Sequence, residues 1–131
     1  MILLDTHILI WWVNGEKKLA QHELQLVKKH EKLGLGISVI TCWEIAKLVQ
    51  HQRLELNGEI EEWLNTVLAF PKIRVLDLTP QIAVESTRLP GHFHRDPADQ
   101  IIVATARIHK IPLVTADQKI LDYPHVKTLQ E

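Results

Sequence analysis

The apolar residues fall into blocks whose period changes along the chain, and each block predicts one element. Ile2-Leu3-Leu4 is an unbroken apolar triplet ending at Asp5, the pattern of a short strand buried on both faces. Ile8 to Val13 is a second block, long enough for nearly two helical turns, and Asn14-Gly15 stops it. Its adjacent Trp11 and Trp12 would point about 100° apart on a helix. One is therefore expected at the core and the other toward a partner. Leu19 to Lys32 spaces Leu24, Leu26 and Val27 among many charges and reads as an amphipathic, mostly exposed helix. The cations of Lys28-Lys29-His30-Glu31-Lys32 suit its C-terminus. Leu35 to Ile40 predicts a second strand, and Thr41-Cys42-Trp43-Glu44 opens a helix whose Ile45, Leu48 and Val49 share a face.

In the second half, a polar connector over His51 to Leu56 and the pair Asn57-Gly58 precede a clean helical stripe. Ile60, Trp63, Leu64, Val67 and Leu68 form that stripe, and Pro71 closes it. Ile73 to Leu78 alternates apolar with charged residues and predicts an edge strand, with Ile73, Val75 and Leu76 toward the core. Thr79-Pro80 is an N-cap followed by proline at the first helical position, starting a helix to about Leu89. Pro90-Gly91 breaks it into the loop His92-Phe93-His94-Arg95. Asp96-Pro97-Ala98-Asp99 then starts a helix with Ala98, Ile101, Ile102, Thr105 and Ile108 on one face. Leu113-Val114-Thr115 predicts a strand, and Val126 to Leu129 a last short one. Repeats, low-complexity tracts and linkers are absent, so residues 1–131 are expected to form a single domain. Alternating strand and helix signals an α/β, three-layer fold with a mostly parallel central sheet of four to five strands, Ile2–Leu4 at its centre. Right-handed crossovers put every strand's carboxyl end on one edge.

Composition narrows this picture only a little. With 46% hydrophobic and 24% charged residues the chain has ordinary globular character. A net charge of −1 offers no overall positive field for nucleic acid, although a local basic face would suffice. Cys42 is the only cysteine, which rules out an intrachain disulfide and points to a reducing, cytoplasmic setting. Asp5 and His7 interrupt the apolar start, so it does not read as a secretory leader. No apolar run approaches the ~20 residues of a membrane span.

The candidate chemistry lies in the acids. Asp5 ends the first strand, Glu44 lies early in the helix after the second, Asp99 in the first turn after the Pro-Gly loop, and Asp117 two residues past the last full strand. All four are thus expected outside the carboxyl ends of the strands, where ligands bind in such sheets. Clustered carboxylates repel one another unless a cation neutralises them, and oxygen donors without cysteine favour Mg²⁺ or Mn²⁺. Such a site suits phosphodiester hydrolysis. Structural readings stand beside this one. Thr41-x-x-Glu44 fits a capping box, Asp96-x-x-Asp99 an N-cap followed by a first-turn acid, and Asp117 a turn residue. Asp5 resists such a reading, because no cap needs aspartate beside Thr6. Thr6, Ser38 and Thr115 stand at strand exits, able to orient a carboxylate or a metal-bound water, or to cap helices. His92-x-His94 lacks a third ligand at a typical spacing and reads as a solvated loop.

Taken in order, Asp5-Thr6-His7, Ser38 with Glu44-Ile45, Arg95-Asp96-Pro97-x-Asp99 running into Ile101-Ile102-Val103-Ala104-Thr105-Ala106, and Leu113-Val114-Thr115-Ala116-Asp117 resemble a PIN domain. The likeness is to the VapC-type toxin ribonucleases of type II toxin–antitoxin modules. The resemblance implies a Mg²⁺- or Mn²⁺-dependent endoribonuclease acting on RNA, with Asp5, Glu44, Asp99 and Asp117 as metal-holding, catalytic acids. It also implies a homodimer held inactive by a cognate antitoxin. Asp99 aligns best with the family's third acid, which leaves Asp96 as a cap and an outer group. Arg95 is a candidate phosphate contact, or a residue that supports the loop. Two other classes compete: a phosphoacceptor signalling domain, which would need Asp77 as its acceptor, and a non-catalytic interaction module on the same scaffold.

Overall fold

Four strands, β1 (Ile2–Leu4), β2 (Leu35–Ser38), β3 (Ile73–Leu76) and β4 (Leu113–Val114), pair in parallel in the order β3-β2-β1-β4. The computed structural model describes residues 1–130. Among these residues, seven α-helices accompany the sheet: α1 (Thr6–Asn14), α2 (Gln21–His30), α3 (Val39–Gln50), α4 (Ile60–Leu68), α5 (Pro80–Ser86), α6 (Pro97–His109) and α7 (Gln118–Leu121). The expected three-layer α/β fold with an interior β1 is the one adopted. In β1 the side chains alternate across the sheet. Ile2 and Leu4 pack against Ile8 and Leu9 of α1, Val27 of α2, Ile45 of α3 and Trp63 of α4. Leu3 packs on the opposite face against Ile102, Val103 and Ala106 of α6 and Ile120 of α7. Full burial of these three residues contributes about 1.5–3 kcal/mol each, which fixes β1 in register.

One consequence of this topology positions the site. The chain leaves β1 into α1 on one face of the sheet and leaves the neighbouring β4 into α7 on the other. Adjacent strands whose following helices diverge leave a crevice beyond their carboxyl ends. Asp5 stands at its mouth.

Several boundaries differ from the pattern's expectation. Ser38 ends β2 and caps α3, its Oγ accepting from Ile40 N at 3.2 Å, so the helix begins two residues early. Thr41 is therefore buried inside α3, and the Thr41–Glu44 capping box does not form. Val75 is 39% exposed, because β3 is the outer strand of the sheet. Helix α5 stops at Ser86, short of Leu89. The segment around Thr128 makes a single parallel bridge to Leu113 instead of a strand. Helix α7 was not legible, since four residues carry no period. Trp11 and Trp12 are both half-buried against the same core, Trp12 edge-on to Phe70. The outward tryptophan is Trp43, 52% exposed.

Gly36 pairs with Leu3 of β1 and Arg74 of β3. A Cβ there would lie 3.2 Å from the carbonyl oxygen of Ile2 and 3.2 Å from Leu76 Cδ1. The backbone oxygen cannot yield without parting β1 from β2. Gly36→Ala gains about 0.4–1 kcal/mol by restricting the unfolded chain, and overpacking costs about 1–3 kcal/mol. The expected net result is a lower urea midpoint with an unchanged slope; an unchanged or raised midpoint would contradict it.

Candidate metal centre

The acids arrive at the crevice because helices begin there. Asp5 occupies the N-cap of α1, a structural role that the sequence reading had discounted. Its Oδ1 accepts from Thr6 N at 2.8 Å, the first helical amide instead of the second or third that a cap usually reaches. Its Oδ2 accepts from Thr115 Oγ1 at 2.6 Å, and the residue is only 6% exposed. Each oxygen keeps a second acceptor site. Glu44 lies in the second turn of α3 and accepts a short hydrogen bond from Thr6 Oγ1. Thr41 Oγ1 lies 3.0 Å from Thr6 Oγ1. With Thr6's one proton donated to Glu44, Thr41 is the donor in that second bond. Asp96 caps α6, its Oδ1 accepting from Asp99 N at 3.1 Å, and Asp99 is in the first turn. Asp117 caps α7 by accepting from Lys119 N at 2.9 Å, while its own N–H donates to Thr115 Oγ1 at 3.0 Å. Thr115 thus ties Asp5 to the Asp117 turn.

Asp5, Glu44, Asp96, Asp99 and Asp117 line one open groove of about 430 Å³, with His7, Trp11 and Ala116 completing its wall. A slightly larger hollow of about 490 Å³ lies elsewhere, beside Arg107 and Lys127. Its one acid, Glu85, is already paired with Arg107 at 2.9 Å, so it holds no free carboxylate cluster.

Burial and crowding decide the protonation states. Burial raises the Asp5 carboxyl, against the lowering effect of the Thr115 and Thr6 bonds. Burial likewise raises Glu44, with the Thr6 bond opposing. Asp99 is pushed from 3.8 to about 8, first by burial and then by the negative charges of Asp5, Asp96, Glu44 and Asp117. The helix N-termini that meet here favour the charged forms, but only by about 0.3–1 kcal/mol each at exposed sites. Burial and repulsion outweigh that effect.

Two sets of donor atoms each lie within 4.8 Å of one another: Glu44, Asp96 and Asp99, and His94, Asp99 and Asp117. Asp99 belongs to both, and Asp5 lines the groove outside both. Carboxylate oxygens joined by one imidazole, with no thiolate, form a donor set that fits a divalent cation. His94 Nε2 supports that fit: it is buried without a hydrogen-bond partner, 3.1 Å from Asp99 Oδ2 but off the line that a bond requires.

Of the expected supporting residues, Thr6 and Thr115 do hold acids, whereas Ser38 caps α3. Arg95 is exposed and does not line the groove. Asp77, which a phosphoacceptor reading would need, is also exposed and outside it. The sequence sets His94 aside as part of a solvated loop, because a loop histidine two residues before an Asp-Pro helix start carries no periodic signal and no third ligand stands at a typical spacing; the structure places it beside Asp99. Its closeness to Asp99 follows from the fold alone.

Between about 4 and about 8, native Asp99 holds a proton that the unfolded chain has released. The folded state then binds more protons than the unfolded one, so stability falls with rising pH. The melting temperature of the ion-free protein is expected to drop as pH is raised through this window. Asp99→Asn should flatten the drop, and saturating divalent ion should reverse it. A melting temperature that rises across the window in ion-free buffer would contradict the assignment.

Comparison with known proteins agrees with this geometry. The PIN domain profile matches residues 2–126. The chain is 31% identical over 124 residues to ribonuclease VapC22 of Mycobacterium tuberculosis, covering 95% of this chain and 92% of that one. Among solved structures it is similar to FitAcB from Neisseria gonorrhoeae, with TM-score 0.70 and 23% identity over 99% of this chain and 97% of that one. It is also similar to VapBC2 from Rickettsia felis bound to a DNA fragment from their promoter, with TM-score 0.69 and 18% identity over 98% of each. A parallel sheet split at β1 and β4, an acidic groove at the split and these likenesses agree: the chain belongs to the PIN domain family, among its VapC-type ribonucleases.

Proposed function

We propose that this chain is the toxin of a type II toxin–antitoxin pair, an endoribonuclease that hydrolyses RNA phosphodiester bonds with Mg²⁺ or Mn²⁺. The observation that carries the reading is the meeting of Asp5, Glu44, Asp99 and Asp117 in one groove at the carboxyl edge. In this reading Asp99 is the central ligand, with Glu44 and Asp96 on one side and Asp117 on the other. Asp5, held from two sides by Thr6 and Thr115, completes the shell. A divalent ion there would polarise a phosphate and lower the pKa of a bound water. The chain's own residues do the rest. Thr6, Thr41 and Thr115 fix the carboxylates in place, and Asp99 would release its proton to solvent on binding a divalent ion.

The substrate is expected to approach over a second groove of about 240 Å³ that shares Glu44 and Asp96 with the first. Lys47, His51 and Arg53 line it beside exposed Trp43, Lys47 and Arg53 supplying the local cations that a net −1 does not. Arg95, on the loop before α6, is a further candidate phosphate contact. We further propose that the protein is a cytoplasmic homodimer whose groove is covered by a cognate antitoxin. Similarity to toxin–antitoxin complexes supports the antitoxin, and a free thiol at Cys42 supports the compartment. Among the described residues no helix is long and apolar enough to cross a membrane.

Two measurements test this reading. Structured RNA incubated with the protein and Mg²⁺ or Mn²⁺ should be cleaved, and chelator should stop it. Loss of a ligand in Asp5→Asn is expected to cost at least about 100-fold with an unchanged circular dichroism spectrum. Equal cleavage by both proteins, or cleavage that survives chelation, would sink the metal-nuclease reading. Lys47→Ala should weaken RNA binding and lower the slope of log affinity against log salt by about 0.7–1. An unchanged slope would place the RNA elsewhere.

A further inference from the structure

His94 is held in place from several directions. Its carbonyl accepts from Gln100 Nε2 at 3.0 Å, and its ring lies 4.4 Å from that of Phe93, which packs edge-on to Tyr123 at 4.8 Å. The side chain is 23% exposed while Nε2 itself is buried, so the exposed part of the ring is its other side. Nε2 stands at ion-pair distance from Asp99 Oδ2, 3.1 Å, but makes no hydrogen bond, and a ring nitrogen of His94 lies within 4.8 Å of an Asp117 oxygen as well. A buried imidazole nitrogen beside two carboxyl groups, with no hydrogen bond of its own, is an unfavourable arrangement unless something else engages it.

Two ligands of one ion stand in this relation. In an octahedral shell with bonds of about 2.1 Å, neighbouring donor atoms are about 3 Å apart, and each lone pair runs about 45° off the line between them. That offset spoils a hydrogen bond at the distance seen here. We propose that His94 Nε2 is a direct nitrogen ligand of the divalent ion, beside Asp99 and Asp117, and that it biases the centre toward Mn²⁺ over Mg²⁺. The inference rests on the metal-centre reading above and adds a donor that this reading's carboxylates do not supply. Mg²⁺ binds through oxygen and keeps its waters, whereas imidazole suits transition-metal ions. The ligating tautomer carries its proton on Nδ1, on the side of the ring away from the acids.

Pulsed EPR of the full chain loaded with MnCl₂ alone tests the assignment without reference to RNA cleavage. The native protein is expected to show ¹⁴N coupling of a directly bound imidazole. His94→Gln should still bind Mn²⁺, about 10-fold more weakly, without that coupling. His94→Asp, which restores an oxygen donor, should recover the affinity but neither the coupling nor the preference for Mn²⁺ over Mg²⁺. Melting curves would confirm that both variants fold. Bound Mn²⁺ without nitrogen coupling in the native protein would overturn the proposal and make His94 a positioning residue for Asp99. Coupling that persists in His94→Gln would also overturn it, assigning the nitrogen to His7 across the groove. A native chain that binds no Mn²⁺ would overturn the metal-centre reading itself, and this inference with it.

Discussion

Carboxyl groups crowded into a partly dry groove repel one another, and the whole carboxyl edge of this sheet is arranged around that repulsion. Asp5, Glu44 and Asp99 are all raised above their ordinary range, and burial is the largest cause for each. The protein counters this with neutral donors. Thr6 and Thr115 each spend their single hydroxyl proton on one carboxylate, and Thr41 in turn supports Thr6. These bonds fix where the acids point without neutralising them. Charge balance must then come from protons or from a cation, and Asp99, keeping its proton to about 8, shows where the deficit is greatest.

That arrangement separates stability from activity. The hydrophobic layers on the two faces of β1 supply the folding free energy, and the groove draws on it. A site built this way is stabilised by the ion it is built to bind, because binding relieves the repulsion that folding creates. The surroundings follow the same division. Acids line the groove itself, while Lys47 and Arg53 stand just beyond Glu44, so opposite charges border one another across that residue.

How far this was readable from sequence varied with the range of the interactions involved. Ile2-Leu3-Leu4 announced a strand buried on both faces, and the stripe of Ile60, Trp63 and Val67 announced α4, because the period of burial is written locally. The helix starts at Thr79-Pro80 and Asp96-Pro97 were equally legible from cap chemistry. Boundaries set by competition between two local options were not. Ser38 and Thr41 are both able to cap α3, and the earlier one won because β2 ends where its pairing with β3 ends, at Ser38 and Leu76. Val75 carried the pattern of a core residue and was left exposed, since no local signal reports that β3 lies at the edge.

By itself, then, the sequence determined the class of fold, the order of its elements and the gathering of four distant acids at one edge, because strand and helix alternation forces those ends together. Only the tertiary structure decided which groups face each other across the groove. It set Thr115 against Asp5 across 110 residues of chain, made Asp99 the acid common to both donor sets, and turned a loop histidine toward it. Pairings of that kind depend on how β1 and β4 lie side by side and on where their helices diverge. No local pattern encodes the distance between two side chains that meet only once the sheet has formed.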